Sequence, residues 1–435
     1  MEPAWPNKKR RLLSEPALRQ KSNTAQTGDM PPSSRLTRFL VLSLAVVILA
    51  CLNKLILGTG QNFSAGQMMV QSTADIYFAR VSSFSILLLS ILLAGVTGIS
   101  QAALKSISIF WLPLIGYLWL RVPIFDGDGA VLLRTLNFYA VVASMSILAS
   151  NRKNAELFLL NLYYLIAFVN LIGLTLFIAK VEFSYFSDGY GIMFTGLFPQ
   201  KDLLSTTAAL GACLALFRLL TRYKFIDIGI FILQITTLFL SSTLSSLGAF
   251  IFGALAIFAP VFAIGFAGSV ALCLPVIHSV FAPVAILFGK DPSFTGRTRL
   301  WDFTLQEAQQ APLFGHGFRH ISATAEWMQM VQSEFRSDSF FIPHAHNLWV
   351  EGYDKFGIFG IILLALALIV SPMLFKRPQN GEPLDQICYA LLPFWLFKSA
   401  LTVPFLNSDT TAYLWAFCLS FCVAWLKHPS LKQNL

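Results

Sequence analysis

The feature that most constrains this chain is a series of apolar runs, each about 20 residues long, the length needed to cross the hydrocarbon of a bilayer as an α-helix. From Leu247 to Leu287 the apolar character is almost unbroken, and roughly 40 residues of this kind make two crossings. Reading the runs in order gives spans near 38–56, 74–97, 107–122, 132–149, 156–179, 203–220, 226–243, 246–264, 267–288, 354–374, 386–404 and 409–427. The turn inside the long stretch is expected near Gly265 and Gly268. The fold class that follows is all-α: a polytopic membrane protein of about 12 transmembrane helices, with one large polar loop between the ninth and tenth spans. Charged residues make up 12% of the chain, about half the soluble norm, which excludes a separate soluble catalytic domain.

Five parts are expected: a basic tail at 1–37 rich in Pro and Ser, nine spans at 38–289, the loop at 290–353, three spans at 354–427 and a short tail at 428–435. The tail up to about Ser34 has no apolar periodicity and reads as disordered. The run that begins near Phe39 leads straight into the array with no small-residue cleavage site, so no signal peptide is expected. A net charge of +9 would suit nucleic acid, but much of it sits in the tail and in short loops, where it sets topology, and no nucleic-acid partner is expected.

Lys and Arg fall in alternate loops: the N-terminal tail, Lys105, Arg152 with Lys153, Arg218 with Arg222 and Lys224, Lys376 with Arg377, and Lys427 with Lys432. The positive-inside rule puts these loops and both termini in the cytoplasm. The loops at 57–73, 121–131, 180–202, 243–245, 288–353 and 405–408 then face the periplasm of a bacterial inner membrane. Topology gives no reason for Arg121, Arg134, Lys201, Arg297, Arg299, Arg319 and Arg336, which lie at or near that far face. All six cysteines lie inside apolar runs, where they read as small buried hydrophobes, Cys418 and Cys422 included.

The loop holds most of the chemistry. It opens Thr295-Gly-Arg-Thr-Arg-Leu-Trp301, passes through Pro312-Leu-Phe-Gly-His-Gly-Phe318 and closes at Pro343-His-Ala-His-Asn-Leu-Trp349. Four of the six histidines fall in this region, and an imidazole that titrates near neutrality can serve as a general base. His316 and His320 have the spacing of a metal pair on a helix, but Gly315 and Gly317 argue against a helix and no metal is expected. Arginine pairs bidentately with phosphate, so Arg134, Lys201 and Arg297 suit an anionic substrate; headgroup snorkelling is the simpler use of each taken singly. His346, a polar group at the mouth of a span, is costly to keep without a use. Gly357 and Gly360 read as sites of close helix packing.

The run His346-Asn-Leu-Trp-Val-Glu-Gly-Tyr-Asp-Lys-Phe-Gly-Ile-Phe-Gly360 resembles the H-[NSQ]-x9-G-x-x-G signature of bacterial O-antigen ligases, shared in looser form with O-antigen and exopolysaccharide polymerases. Gly296-Arg-Thr-Arg-Leu-Trp301 with Pro312-Leu-Phe-Gly-His-Gly317 is similar to the segment that opens the family's large loop, and Gly196-Leu-Phe-Pro-Gln-Lys-Asp202 to a patch before a middle span. Two departures stand out: Asp202 replaces the usual Asn, and the run Ser241-Ser-Thr-Leu-Ser-Ser246 lacks a basic residue often found there.

The resemblance implies a metal-independent, inverting membrane glycosyltransferase without a cofactor. Its donor would be an undecaprenyl-pyrophosphate-linked glycan and its acceptor lipid A-core or a growing glycan, with membrane lipid around it. It implies His346 as catalytic base, Arg297, Arg134 and Lys201 as holders of the pyrophosphate, and Asn347, Glu351, Arg299, His344 and Arg121 in support. Trp301, Trp327 and Trp349 offer faces on which sugars could stack. Ligase and repeat-unit polymerase both fit. A polysaccharide or lipid transporter is the alternative of another class, although it should carry its ionisable groups near mid-membrane.

Overall fold

The computed structural model describes residues 35–51, 73–125, 129–188, 191–222, 224–287, 296–317, 321, 324–335, 344–375, 383–402 and 410–426. A helix lies in each expected apolar run. In chain order these are α1 (Arg35–Val46, continued by a wider turn over Val47–Cys51), α2 (Thr73–Thr97), α3 (Gln101–Phe125), α4 (Gly129–Ala149), α5 (Arg152–Ile178), α6 (Lys201–Arg222), α7 (Phe225–Ser241), α8 (Leu244–Phe258) and α9 (Pro260–Leu287). The large loop carries α10 (Arg297–Ala308) and α11 (Ala325–Phe335). Beyond it come α12 (Leu348–Ala365, continued through a wider turn into α13, Ser371–Met373), α14 (Pro383–Ser399) and α15 (Thr410–Trp425). The architecture is that of an all-α polytopic membrane protein. Among the described residues, five helical stretches are long and apolar enough to cross a membrane: 101–118, 152–178, 201–222, 260–280 and 348–373.

Large apolar side chains cover the outside of the bundle, among them Phe225, Val276, Phe262 and Ile178. In water such a surface would be unstable; against lipid it costs nothing. At the centre is α15, apolar on every side and buried along its described length among α3, α4 and α14. Two of its polar side chains are tied to neighbouring helices: Ser420 Oγ accepts from Trp111 Nε1 (3.1 Å) and Trp425 Nε1 donates to Ala149 O (2.9 Å).

Three boundaries differ from the sequence reading. The long apolar stretch breaks at Ala259, with α9 starting at Pro260, not at Gly265 and Gly268. Proline has no N–H to lose in a first turn, so it opens a helix more readily than glycine interrupts one. Gly268 instead lets α9 approach Ile369 closely. The tenth span begins at Leu348, not 354, because Asn347 caps it. The loop expected at 180–202 folds into a hairpin of β1 (Tyr185–Asp188) and β2 (Gly191–Phe194).

Candidate functional site

The three motifs meet at one end of the bundle. Asn347 opens α12: its Oδ1 accepts from Trp349 N (2.8 Å) and Val350 N (3.1 Å), while its Nδ2 donates to Ala400 O (2.7 Å) at the end of α14. Three of the side chain's four hydrogen-bonding positions are spent on structure, so Asn347 fixes the segment before it. Glu351, one turn into α12, is buried; it accepts from Ala345 N (2.9 Å) and forms an ion pair with buried Lys355. From the other side Trp301 Nε1 donates to Ala345 O (2.9 Å). Both backbone groups of Ala345 are thereby fixed, and the histidines either side of it are presented in one orientation.

His346 has a left-handed backbone (φ 55°), unusual for a residue with a side chain. Its N–H donates to His344 Nδ1 (3.2 Å), and the two rings meet edge to face with centroids 4.2 Å apart. A left-handed non-glycine residue held by contacts on every side is a common mark of a functional site. Burial, then the neighbouring His344 and Arg297, hold the His346 imidazole well below its usual range. Burial likewise pulls His344 down to about 4, with Lys355 and Arg297 adding to the effect and Glu351 opposing it. Both rings are neutral at pH 7, so His346 can accept a proton there.

Arg297 is the first residue of α10, and its guanidinium stands 3.6 Å from Asp202 at the start of α6. It is also near enough for its charge to act on both imidazoles. Lys201 is half-buried beside Asp202, whereas Arg299 points outward and is exposed. The side chains of Arg121 and Arg134 and all of Arg319, His320 and Arg336 lie outside the described residues. The three tryptophans proposed for sugar stacking are buried: Trp301 holds Ala345, Trp349 donates to Ser399 Oγ (3.0 Å), and Trp327 packs with Leu300, Ile321 and Val331. None offers a free face, which corrects that expectation.

The glycines also do more than pack. Helix α12 has a non-helical residue at Gly357 (φ 61°), and the freed backbone binds the Pro312–Gly317 segment. His316 N donates to Asp354 O (2.7 Å), Gly317 N to Lys355 O (2.7 Å) and Ile358 N to Pro312 O (2.9 Å). A side chain at Gly315 would overlap the backbone of Lys355 and Phe356, and one at Gly357 the backbone of Leu313. His316, considered with His320 as a metal pair, instead pairs through Nδ1 with buried Asp354 (3.0 Å).

One residue was passed over entirely. Lys398, inside the apolar run of α14, is buried and donates to Ser245 Oγ (2.9 Å) and Ser246 Oγ (3.0 Å) at the start of α8. An ionisable group within an apolar run is itself the signal that would have found it. At the opposite ends of α6 and α14, an open cleft is lined by Glu156, Tyr163, Arg218, Arg222 and Pro383. It contains none of the expected site residues.

Fold and site define a class: a polytopic helical membrane protein whose polar motifs are locked together at one end of its bundle. Residues 204–365, from α6 through α12, match the O-antigen ligase family model. The chain is 29% identical over 155 residues, 34% of each protein, to the exopolysaccharide production protein ExoQ of Rhizobium meliloti (strain 1021). It is 28% identical over 109 residues, 24% of this chain and 26% of the relative, to an uncharacterized protein of Haemophilus influenzae (strain ATCC 51907 / DSM 11121 / KW20 / Rd). The chain thus spans about a third or less of the length of these curated relatives.

Proposed function

We propose that the protein is a glycosyltransferase that moves a glycan from a polyprenyl-pyrophosphate carrier to a sugar hydroxyl at the periplasmic face of a bacterial inner membrane. The observation that carries this is the bond from Trp301 to Ala345, which ties the arginine motif to the histidine motif and so brings Arg297 within electrostatic reach of His346. A base and an anion holder on one rigid frame are what the reaction requires.

In the proposed step the acceptor oxygen attacks the anomeric carbon as the bond to the pyrophosphate oxygen breaks. The acceptor proton passes to His346 Nε2 or Nδ1, and the lipid pyrophosphate leaves carrying one more negative charge, met by Arg297 and Lys201, with Arg134 as a further candidate. Attack opposite the leaving group inverts the anomeric centre. Asn347 and Glu351 hold the histidine segment, and His344 fixes the backbone N–H of His346. No step in this scheme calls on a metal.

The family match favours a ligase that hands a finished glycan to lipid A-core, and the likeness to an exopolysaccharide production protein favours a polymerase that extends one carrier-linked chain. The test is His346→Ala in a strain lacking the native gene. The variant should insert at normal levels and leave glycan unattached on gels, and an unchanged ladder would overturn the assignment. What the deletion strain accumulates separates the two readings: carrier-linked polymer for a lost ligase, single carrier-linked repeats for a lost polymerase.

A further inference from the structure

One imidazole of the loop, His316, takes no part in the proposed step. It lies between Gly315 (φ 67°) and Gly317 (φ 81°), whose left-handed backbones bring the loop back onto the break in α12. One residue then grips it twice. Asp354 O accepts from its main-chain N–H (2.7 Å), and Asp354 Oδ1 pairs with its Nδ1 (3.0 Å). The Asp354 side chain is almost wholly buried (1% exposed), and its Oδ2 has no hydrogen-bond partner among the described residues. A carboxylate offers only lone pairs, so a neutral His316 beside it carries its proton on Nδ1 and leaves the lone pair of Nε2 bare. The His316 side chain keeps 16% exposure, and among the described residues its Nε2 has no hydrogen-bond partner.

Helix α12 relates this lone pair to the proposed base. Asp354 stands three residues beyond Glu351, one turn along the same helix face, and Glu351 holds the His344–His346 segment through Ala345 N. One face of one helix therefore carries both histidine segments, a turn of about 5 Å apart. A pyranose ring has similar breadth, so a sugar whose attacking hydroxyl reaches His346 carries other hydroxyls on to the next turn. Ionised phosphate oxygens only accept and gain nothing from a lone pair backed by a carboxylate, whereas a hydroxyl can donate to it. We propose that His316 binds the acceptor glycan, its Nε2 accepting a hydrogen bond from a sugar hydroxyl other than the one that attacks, with Asp354 as the residue that fixes ring and tautomer. The inference rests on the proposed function and adds a contact on the acceptor, while Arg297 and Lys201 serve the donor.

The experiment uses the full chain in phosphatidylcholine nanodiscs, with carrier-linked polymer as donor and, as acceptor, whichever of rough lipopolysaccharide and single carrier-linked repeats the parent protein extends. His316→Asn keeps a side-chain N–H for Asp354 Oδ1 and the main-chain bond to Asp354 O, but has nothing at the place of Nε2. It should raise KM for the acceptor about tenfold and leave kcat and the donor KM within about twofold of the parent's. Asp354→Asn, of nearly the same size, can donate to Nδ1 and so allows the tautomer with the proton on Nε2; it should raise the acceptor KM by a similar factor. An unchanged acceptor KM in either folded variant, or a loss confined to kcat, overturns the inference. Nitrogen-15 NMR of the histidine-labelled parent needs no variant at all: the His316 ring, assigned from its glycine neighbours, should show Nδ1 protonated and Nε2 bare, and the opposite tautomer overturns the inference. His346→Ala separates this inference from the reading beneath it. Transfer that survives there overturns the proposed reaction, while transfer lost there with an unmoved acceptor KM in His316→Asn overturns the inference alone.

Discussion

At the scale of single residues, His346 is legible from sequence because an imidazole at the mouth of an apolar run has to be justified by use. Its fixation is not legible, because the groups responsible, Trp301 and Glu351, act through the backbone of Ala345, which has no side-chain signal of its own. The tryptophans illustrate the same limit: composition cannot tell a ring that stacks on sugar from one spent on holding a carbonyl. The depressed imidazoles give a pH prediction. Because burial keeps His346 well below its usual range and His344 at about 4, their functional neutral forms persist as pH falls through 6.5, where an unperturbed histidine would titrate. Transfer rates at saturating donor should therefore stay level from pH 7.5 to about 5.5, and a limb centred near 6.5 would show that neither ring is depressed. The unfolded chain binds protons on these histidines before the folded one does, so stability should decline as pH falls from about 6.5 toward 4. Protonation of His344 Nδ1, reached only near pH 4, also removes the acceptor for His346 N–H, so activity should fall only there, well below the pH at which the melting temperature starts to decline.

At the scale of elements, the helices were legible because about 20 apolar residues admit few other structures. The interruption of α12 was not, since Gly357 reads equally well as a packing glycine and as a backbone break. What decides is the partner: Gly315 sits against the same break, and neither position leaves room for a β-carbon. Gly357→Ala must adopt a left-handed backbone, costing roughly 1–2 kcal/mol, and also displace Leu313. The Pro312–Gly317 segment should then detach from α12, releasing the Asp354 contacts of His316. Limited proteolysis should cut the 296–317 region faster in Gly357→Ala than in the parent, and transfer should drop at least tenfold. Equal cleavage rates would mean that the interlock is not needed to hold the loop. Asn347→Ala attacks the other end of the same helix. A lost N-cap costs about 1 kcal/mol, and here the bond to Ala400 goes as well, so a lower melting temperature is expected without any loss of pyrophosphate affinity.

At the scale of the whole molecule, helices α6 and α14 each carry charge at both ends and divide the labour between them. On α14 the site end holds Lys398, while the other end holds Asp385, buried and paired with Arg152 at 2.7 Å; some 13 residues separate the two, about 20 Å of helix. Arg152 is further covered by the rings of Phe421 and Trp425 on α15. On α6 the site end holds Lys201 and Asp202, and the far end holds Arg218, paired with Asp227 at 2.9 Å. The alternation of basic residues along the sequence foretold these two groups, since Arg152 and Arg218 belong to loops assigned to one face and Lys201 and Arg297 to the other. It could not foretell that the first group is bound to buried carboxylates, because Asp227 lies inside an apolar run and Asp385 just before one, and neither position shows in sequence that it is buried. On the proposed function, the far end stabilises and the near end reacts. Removing Arg152 leaves the Asp385 carboxylate buried without its cation, a loss of about 3–5 kcal/mol for a pair of this kind. Arg152→Met should therefore lower the melting temperature in detergent by several degrees, and Arg152→Met with Asp385→Leu should recover much of the loss, since no charge is then stranded. In both variants, folded protein should bind inorganic pyrophosphate with the parent's affinity. A variant that melts normally yet binds pyrophosphate weakly would mean that the ends are coupled through α14, and the division of labour drawn from the two charge groups would fail.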